Sequence, residues 1–276
     1  MTAPALPTTK LAKIGRYEIN YADEGSGFPI LLIHGLAGDH TAWVPQINAW
    51  KGRYRVIAPD TRGAGRSTQV DEPVSIEGLA KDFISLIDHL KIDKCHIIGR
   101  SMGGALGQQI TLQAPGRVQS LTMTASLAKP DRMCIRVLDC LREVLEWRQS
   151  WSDHARHGSH FFVSAKFFNE KPDVMAAIEK LIAGSDRKIA CYSAQSKAVK
   201  EHDVLDRLGE IKCPVMVMSG DEDLICSPEC QRWMVERLPQ AEWIEFKGAA
   251  HFFLMEQPEK FMAEMGKFLD KHTPKG

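Results

Sequence analysis

Short continuous apolar runs alternate along this chain with segments whose apolar positions recur every three or four residues. Pro29-Ile30-Leu31-Leu32-Ile33 is apolar throughout, and Tyr54–Pro59 carries Val56-Ile57-Ala58. Runs of this length read as strands buried on both faces, the mark of a parallel sheet. Tyr17–Ala22 alternates with period two instead and predicts a half-buried antiparallel strand, closed by the Gly25-Ser26-Gly27 turn. Ile76, Leu79, Phe83, Ile87 and Leu90 form the apolar stripe of a helix that Ser75 is placed to cap. Val118–Ala125, Cys213–Gly220 and Trp243–Phe246 supply further strands, with helices from Pro228 to about Leu238 and from Pro258 to Phe268. Residues 1–10 read as a flexible lead-in. Strand and helix in alternation call for a parallel sheet covered on both sides.

From Leu127 to Val204 the strand-like runs stop. Helical segments replace them, carrying Val137, Leu138, Leu141, Val144 and Leu145, then the stretch from Trp147 to Phe168, then Val174–Ile182, then Ile189–Val199. Helices inserted between two strands of such a sheet predict a cap over the strand ends. The expected division is therefore 1–126 and 205–276 for the sheet domain and 127–204 for a helical cap. Most of the aromatics here, from Trp147 and Trp151 to Phe167 and Phe168, are expected inside the cap, with one or two facing the site. His154, His157 and His160 are spaced so that successive rings swing round a helix, and no carboxylate cluster joins them, which favours packing over metal binding.

Composition narrows the function. The 276 residues are 44% hydrophobic, enough for a large core, and 35 basic against 35 acidic side chains leave no net charge. No electrostatic case exists for nucleic acid or an anionic membrane as partner. The first residues have neither a basic start nor an apolar run, and no segment is long and apolar enough to span a bilayer, so a soluble, cytoplasmic protein is expected. Seven cysteines without paired spacing, Cys226 and Cys230 excepted, suggest reduced thiols rather than a disulfide framework or a metal site.

The chemistry concentrates at Cys95–Gly107. Ile97 and Ile98 end a strand, Gly99-Arg100-Ser101-Met102-Gly103 makes a turn, and Ala105, Leu106 and Ile110 continue as a helix. Gly-x-Ser-x-Gly between strand and helix is the nucleophile elbow, which pushes the serine hydroxyl out of the sheet at the helix N-terminus. The strand Pro29–Ile33 ends in His34-Gly35-Leu36-Ala37-Gly38, and the N–H groups of Leu36 and Met102 are placed to form an oxyanion hole. His34, fixed at a strand end, reads as holding that loop rather than as a base. Asp60–Ser67 has two glycines and two arginines but no phosphate-loop spacing, and reads as structural. Near the C-terminus Gly220 is followed by Asp221, Glu222 and Asp223, and Gly248-Ala249-Ala250 by His251. Serine, acid, histidine is the chain order of an elbow hydrolase. From the residues alone three acids compete.

With His34-Gly35, Pro59–Ser67, the elbow, Gly220–Asp223 and Gly248–Phe252 in order, the chain resembles the α/β-hydrolase superfamily over nearly its whole length. It is similar to small helix-capped esterases, to 3-oxoadipate enol-lactonases and to C–C bond hydrolases of meta-cleavage pathways. The resemblance implies a mostly parallel eight-stranded sheet covered by helices with a helical cap, and no metal or organic cofactor. It maps the family's Gly-x-x-Asp onto Gly220 and Asp223. Ser101 is then the nucleophile attacking a small ester or lactone, His251 the base, and Asp223 the acid that orients it. A C–C hydrolase of a vinylogous diketone, or a ligand sensor on the same scaffold, are the alternatives. Phe252 and Arg100, the residues beside His251 and Ser101, are expected to contact substrate. Arg100 either turns to the pocket, where it would grip a carboxylate-bearing substrate, or turns away to pair with a nearby acid.

Overall fold

A computed structural model describes residues 6–275. One sheet of eight strands is formed by β1 (Thr9–Ile14), β2 (Tyr17–Glu24), β3 (Pro29–Ile33), β4 (Arg55–Pro59), β5 (Cys95–Arg100), β6 (Val118–Thr124), β7 (Val215–Gly220) and β8 (Ala241–Phe246). The spatial order is β1-β2-β4-β3-β5-β6-β7-β8. The pairs β1–β2 and β2–β4 are antiparallel, and every later pair is parallel. This is the α/β-hydrolase arrangement that the sequence motifs imply.

The helices are α1 (Val44–Trp50), α2 (Ile76–His89), α3 (Met102–Gln113), α4 (Arg132–Arg148), α5 (Trp151–Gly158), α6 (Ala165–Glu170), α7 (Pro172–Ala183), α8 (Ile189–Lys200), α9 (Pro228–Arg237), α10 (Phe253–Glu256) and α11 (Pro258–His272). Residues 1–5 of the expected lead-in lie outside the described residues, but Thr9 and Lys10 belong to β1 rather than to a free leader. Only Ala12 and Ile14 of that edge strand are buried, so its alternation is too short to stand out in the sequence.

The sheet is apolar on both faces, and β3 shows why its sequence has no polar alternation. Leu31 and Ile33 join Ile97, Leu106 and Phe83 in one core cluster, while Ile30 and Leu32 join Ile98, Phe261 and Phe268 in the other. Successive strand residues point to opposite faces, and helices cover both. At roughly 1.5–3 kcal/mol for each fully buried large side chain, this double core dominates the stability of the chain.

Between β6 and β7 lie five helices, α4 to α8, and no strand. Asp131, Ser150 and Ser164 cap α4, α5 and α6 by accepting from Cys134, Asp153 and Phe167 N–H groups. The insertion fastens to the sheet domain through polar ties as well as packing. Gln195 donates to Arg62 O (2.8 Å), Phe252 N–H to Phe162 O (2.7 Å), and Ser164 Oγ to the Glu256 carboxylate (2.5 Å). Trp147 departs from the expectation for the inserted aromatics: it is 81% exposed at the end of α4. His154 is buried against Trp151 and Tyr192, while His157 and His160 are exposed. No helix among the described residues is long and apolar enough to cross a membrane.

Candidate active site

Ser101 sits at the end of β5 with φ 53° and ψ −120°, a strained conformation for a side-chain-bearing residue. The strain is held by its neighbours. Ser101 N–H donates to Thr124 O (2.9 Å) and Ser101 O accepts from Ser126 Oγ (2.8 Å), so the peptides on both sides of the turn are fixed. The flanking glycines are required by close approach: a Cβ on Gly99 would lie 2.2 Å from Gly103 O, and one on Gly103 would lie 2.1 Å from Ile33 O.

Two backbone donors border the serine. Met102 opens α3, and its N–H has no partner among the described residues, as expected for the first turn of a helix. Leu36 N–H is likewise unpartnered, in a turn closed by Gly38 N–H to Gly35 O (3.1 Å) with Ala37 at φ 63°. His34 pins this turn from below. Its Nε2 accepts from Thr61 N–H (3.0 Å), so the proton sits on Nδ1, which donates to Gly35 O (2.8 Å). Burial pulls the His34 pKa down to about 4, and the ring stays neutral near neutral pH.

On the far side of the site, Asp223 and His251 meet. His251 Nδ1 lies 2.9 Å from Asp223 Oδ2, and the other oxygen of Asp223 accepts from the N–H groups of Ile225 (2.8 Å) and Cys226 (2.9 Å). The acid is 1% exposed and the histidine 4%. A buried carboxylate so anchored keeps the His251 proton on Nδ1 and leaves Nε2 free as an acceptor. The other two acids are placed differently: Asp221 accepts from Gly248 N–H (2.7 Å), and Glu222 borders a groove with Leu224 and Phe168. Glu256 also holds the histidine loop, accepting from Ala250 N–H at 2.9 Å.

Arg100 resolves into neither of the two simple expectations. Its guanidinium lies 4.8 Å from the centre of the Phe252 ring, which itself stacks on Phe162 with 5.0 Å between centroids. No carboxylate pairs with it among the described residues, and burial lowers its pKa to about 10, so it carries its charge at neutral pH. A cation with no ion-pair partner among the described residues thus stands next to Ser101 in the chain.

Cys226 is a neighbour that sequence reasoning missed. Its buried thiol lies beside the Ser101 side chain, and its pKa is pushed well above the usual thiol value by burial and by Asp223. Among the described residues no hydrogen bond joins Ser101 to His251. The only hint in the sequence was the position of Cys226, three residues past Asp223.

Donor atoms of Asp223, Cys226 and His251 lie within 4.8 Å of one another, as do those of Asp39, His40 and Asp60. In both sets hydrogen bonds already occupy the carboxylates. Asp60 accepts from His40 N–H and Nδ1 (both 2.8 Å), Asn20 Nδ2 (2.8 Å) and Arg66 N–H (2.9 Å), which organises the 60–67 loop.

A sheet of this topology, with a strained serine between strand and helix and a carboxylate-bound histidine opposite, defines an α/β-hydrolase. The sequence profile of the alpha/beta hydrolase fold family matches residues 29–258, and the chain belongs to that family. It is 27% identical to the proposed carbamate hydrolase RutD of Caulobacter sp. strain K31, over 87% of this chain and 90% of the relative. It is also 27% identical to 3-oxoadipate enol-lactonase 1 of Acinetobacter baylyi, over 87% of this chain and 88% of that one. Among solved structures, a thermophilic esterase from Thermogutta terrifontis with malate bound superposes with a TM-score of 0.84 at 27% identity, covering 98% of this chain and all of the other.

Proposed function

We propose that this hydrolase is a cofactor-independent serine enzyme that cleaves a small ester or lactone through an acyl-enzyme. The observation that carries the reading is the buried Asp223–His251 pair facing a serine held in the strained elbow. Ser101 attacks the acyl carbonyl. His251, its tautomer set by Asp223, takes the proton and returns it to the leaving oxygen. The free N–H groups of Leu36 and Met102 receive the oxyanion. Water then repeats the sequence on the acyl-enzyme. Residues 127–204 serve as the cap that shields these steps from solvent.

Relatives named for carbamates and enol-lactones support an acyl carbonyl as the target and extend the candidate substrates to carbamates. The unpaired guanidinium of Arg100 supports a substrate that bears a carboxylate, and the malate in the similar esterase points the same way. The test is a fluorophosphonate probe together with a panel of small esters, lactones and carbamates. Labelling at Ser101 and turnover abolished by Ser101→Ala are expected. Labelling that persists in the alanine variant would overturn the assignment.

A further inference from the structure

Arg187 stands apart from the other buried charges. It lies between α7 and α8, is 5% exposed, and pairs with no carboxylate among the described residues. Its Nη2 donates to Gly38 O at 2.5 Å, and Nη1 is buried without a partner. Trp151 Nε1 holds the residue's own carbonyl at 3.0 Å, so its backbone is fixed within the insertion. Burial draws its pKa down, opposed chiefly by the charge of Asp39.

Gly38 ends the turn that presents Leu36 N–H. At its start Gly35 O is held by His34 Nδ1 and Gly38 N–H, both from the sheet domain. At its end Gly38 O is held by a side chain of the insertion. The free donor sits between the two attachments. A buried guanidinium hydrogen-bonded only to a neutral carbonyl keeps part of its desolvation penalty, because a carbonyl dipole does not neutralise a full charge and the Asp39 carboxylate offsets it without forming an ion pair. A negative oxygen forming at Leu36 and Met102 is the charge such a cation complements.

We propose that Arg187 is a positioning residue for the reaction: it locks the Leu36 turn in oxyanion-binding geometry when the insertion is docked, and its positive charge, held in no ion pair, favours the tetrahedral oxyanion over the ground state. The proposal rests on the serine-hydrolase reading above. A purely structural tie between insertion and sheet domain would stabilise the fold without distinguishing transition state from substrate.

The experiment uses the full chain as wild type, Arg187→Met and Arg187→Lys. Each is assayed on an uncharged p-nitrophenyl ester and titrated with a trifluoromethyl ketone, which adds to the serine as an oxyanion, and with its non-electrophilic methyl ketone twin. In Arg187→Met, kcat should fall about 10- to 100-fold with KM within about 2-fold. Its trifluoromethyl ketone affinity should fall in step while the methyl ketone binds as before. Arg187→Lys, which keeps the charge but loses the planar fork, should lie between, and it decides the question by the same split if the methionine variant does not fold. Equal weakening of both ketones, or full kcat in a folded variant, overturns the proposal. A wild type that neither turns over esters nor binds the trifluoromethyl ketone more tightly than its twin would instead refute the serine-hydrolase reading, and this inference with it.

Discussion

The sheet domain and the inserted helices are built on different terms. In the sheet domain, side chains from both faces close into two large apolar clusters, and many of the buried polar residues beside them are bonded: His34 to Thr61 and Gly35, His96 to Ser120, Asp60 to four donors, while single buried atoms of Trp43, Gln46, Thr122 and Gln231 are not. In the insertion, Val163, Met175 and Ile178 make only a small cluster of their own, and buried atoms of Arg142, Arg187, Ser193, Gln195 and Ser196 have no partner. Helices α4 and α8 share the larger sheet cluster through Val137, Leu138, Leu141 and Val199, so it is the stretch from α5 to α7, with its small core, that has the features of a less stable, more adaptable part. The serine, the acid and the histidine all stand on the over-determined half, while the groups that reach over them, Phe162, Ser164 and Arg187, come from the other. The Asp223–His251 pair and the elbow are thus held on the strands, while the inserted helices are fastened to them through a few polar ties.

The largest effect should come from the rigid half. Asp223→Asn is expected to lower kcat about 10⁴-fold with unfolding unchanged, because the carboxamide no longer enforces the His251 tautomer. Asp221→Asn, which disturbs the Gly248 contact and an exposed ion pair with Lys247, should stay near wild type. Comparable losses in steady-state assays of the two variants would break the assignment of the acid.

Acid should act on both halves together. His34 and His96 in the sheet domain, and His154 and His202 in and after the inserted helices, are each drawn down to about 4 by burial. Between that value and the unfolded value of about 6.5, the unfolded chain binds protons that the native chain refuses, so stability rises with pH across this window and falls on acidification. His40, raised by its bond to Asp60 against the pull of burial, opposes the trend. Urea midpoints measured from pH 4.5 to 6.5 should show an uptake of about three to four protons on unfolding near pH 5. A flat profile would mean that these rings are not held neutral.

Arg100→Met tests whether specificity lies where the two halves meet. Matched esters with and without a free carboxylate should separate, with a selective loss of about 1.5–3 kcal/mol in kcat/KM for the acidic one. An equal effect on both would leave Arg100 as a prop for the Phe252–Phe162 stack. The smallest effect is expected at Ser164→Ala, which removes the N-cap of α6 and one donor to Glu256, at a cost of about 1 kcal/mol. Hydrogen exchange should quicken across residues 159–171 while β5 and β7 stay protected. Loss of protection in those strands would show that the halves unfold as one.

Much of this architecture is written in local pattern. Apolar runs specified the parallel strands because both faces of the sheet are covered, and the elbow was legible because strand, glycine, serine, glycine and helix must be adjacent in sequence to make that turn. Chain order placed the His251 loop after the acidic loop it meets in the fold, but β1 was not legible, since two buried residues make no period. Choosing Asp223 from residues alone was impossible: three neighbouring acids have the same chemistry, and only the folded loop gives one of them two backbone donors and a histidine. The direction of Arg100, the thiol of Cys226 against Ser101 and the reach of Arg187 to Gly38 are of the same kind. Each depends on contacts between segments more than 120 residues apart, 149 in the case of Arg187 and Gly38. Periodicity and turn chemistry act over a few residues and are encoded where they act, whereas the partner of a buried polar side chain is set by which distant backbone packs against it, and that is decided only when the chain has closed.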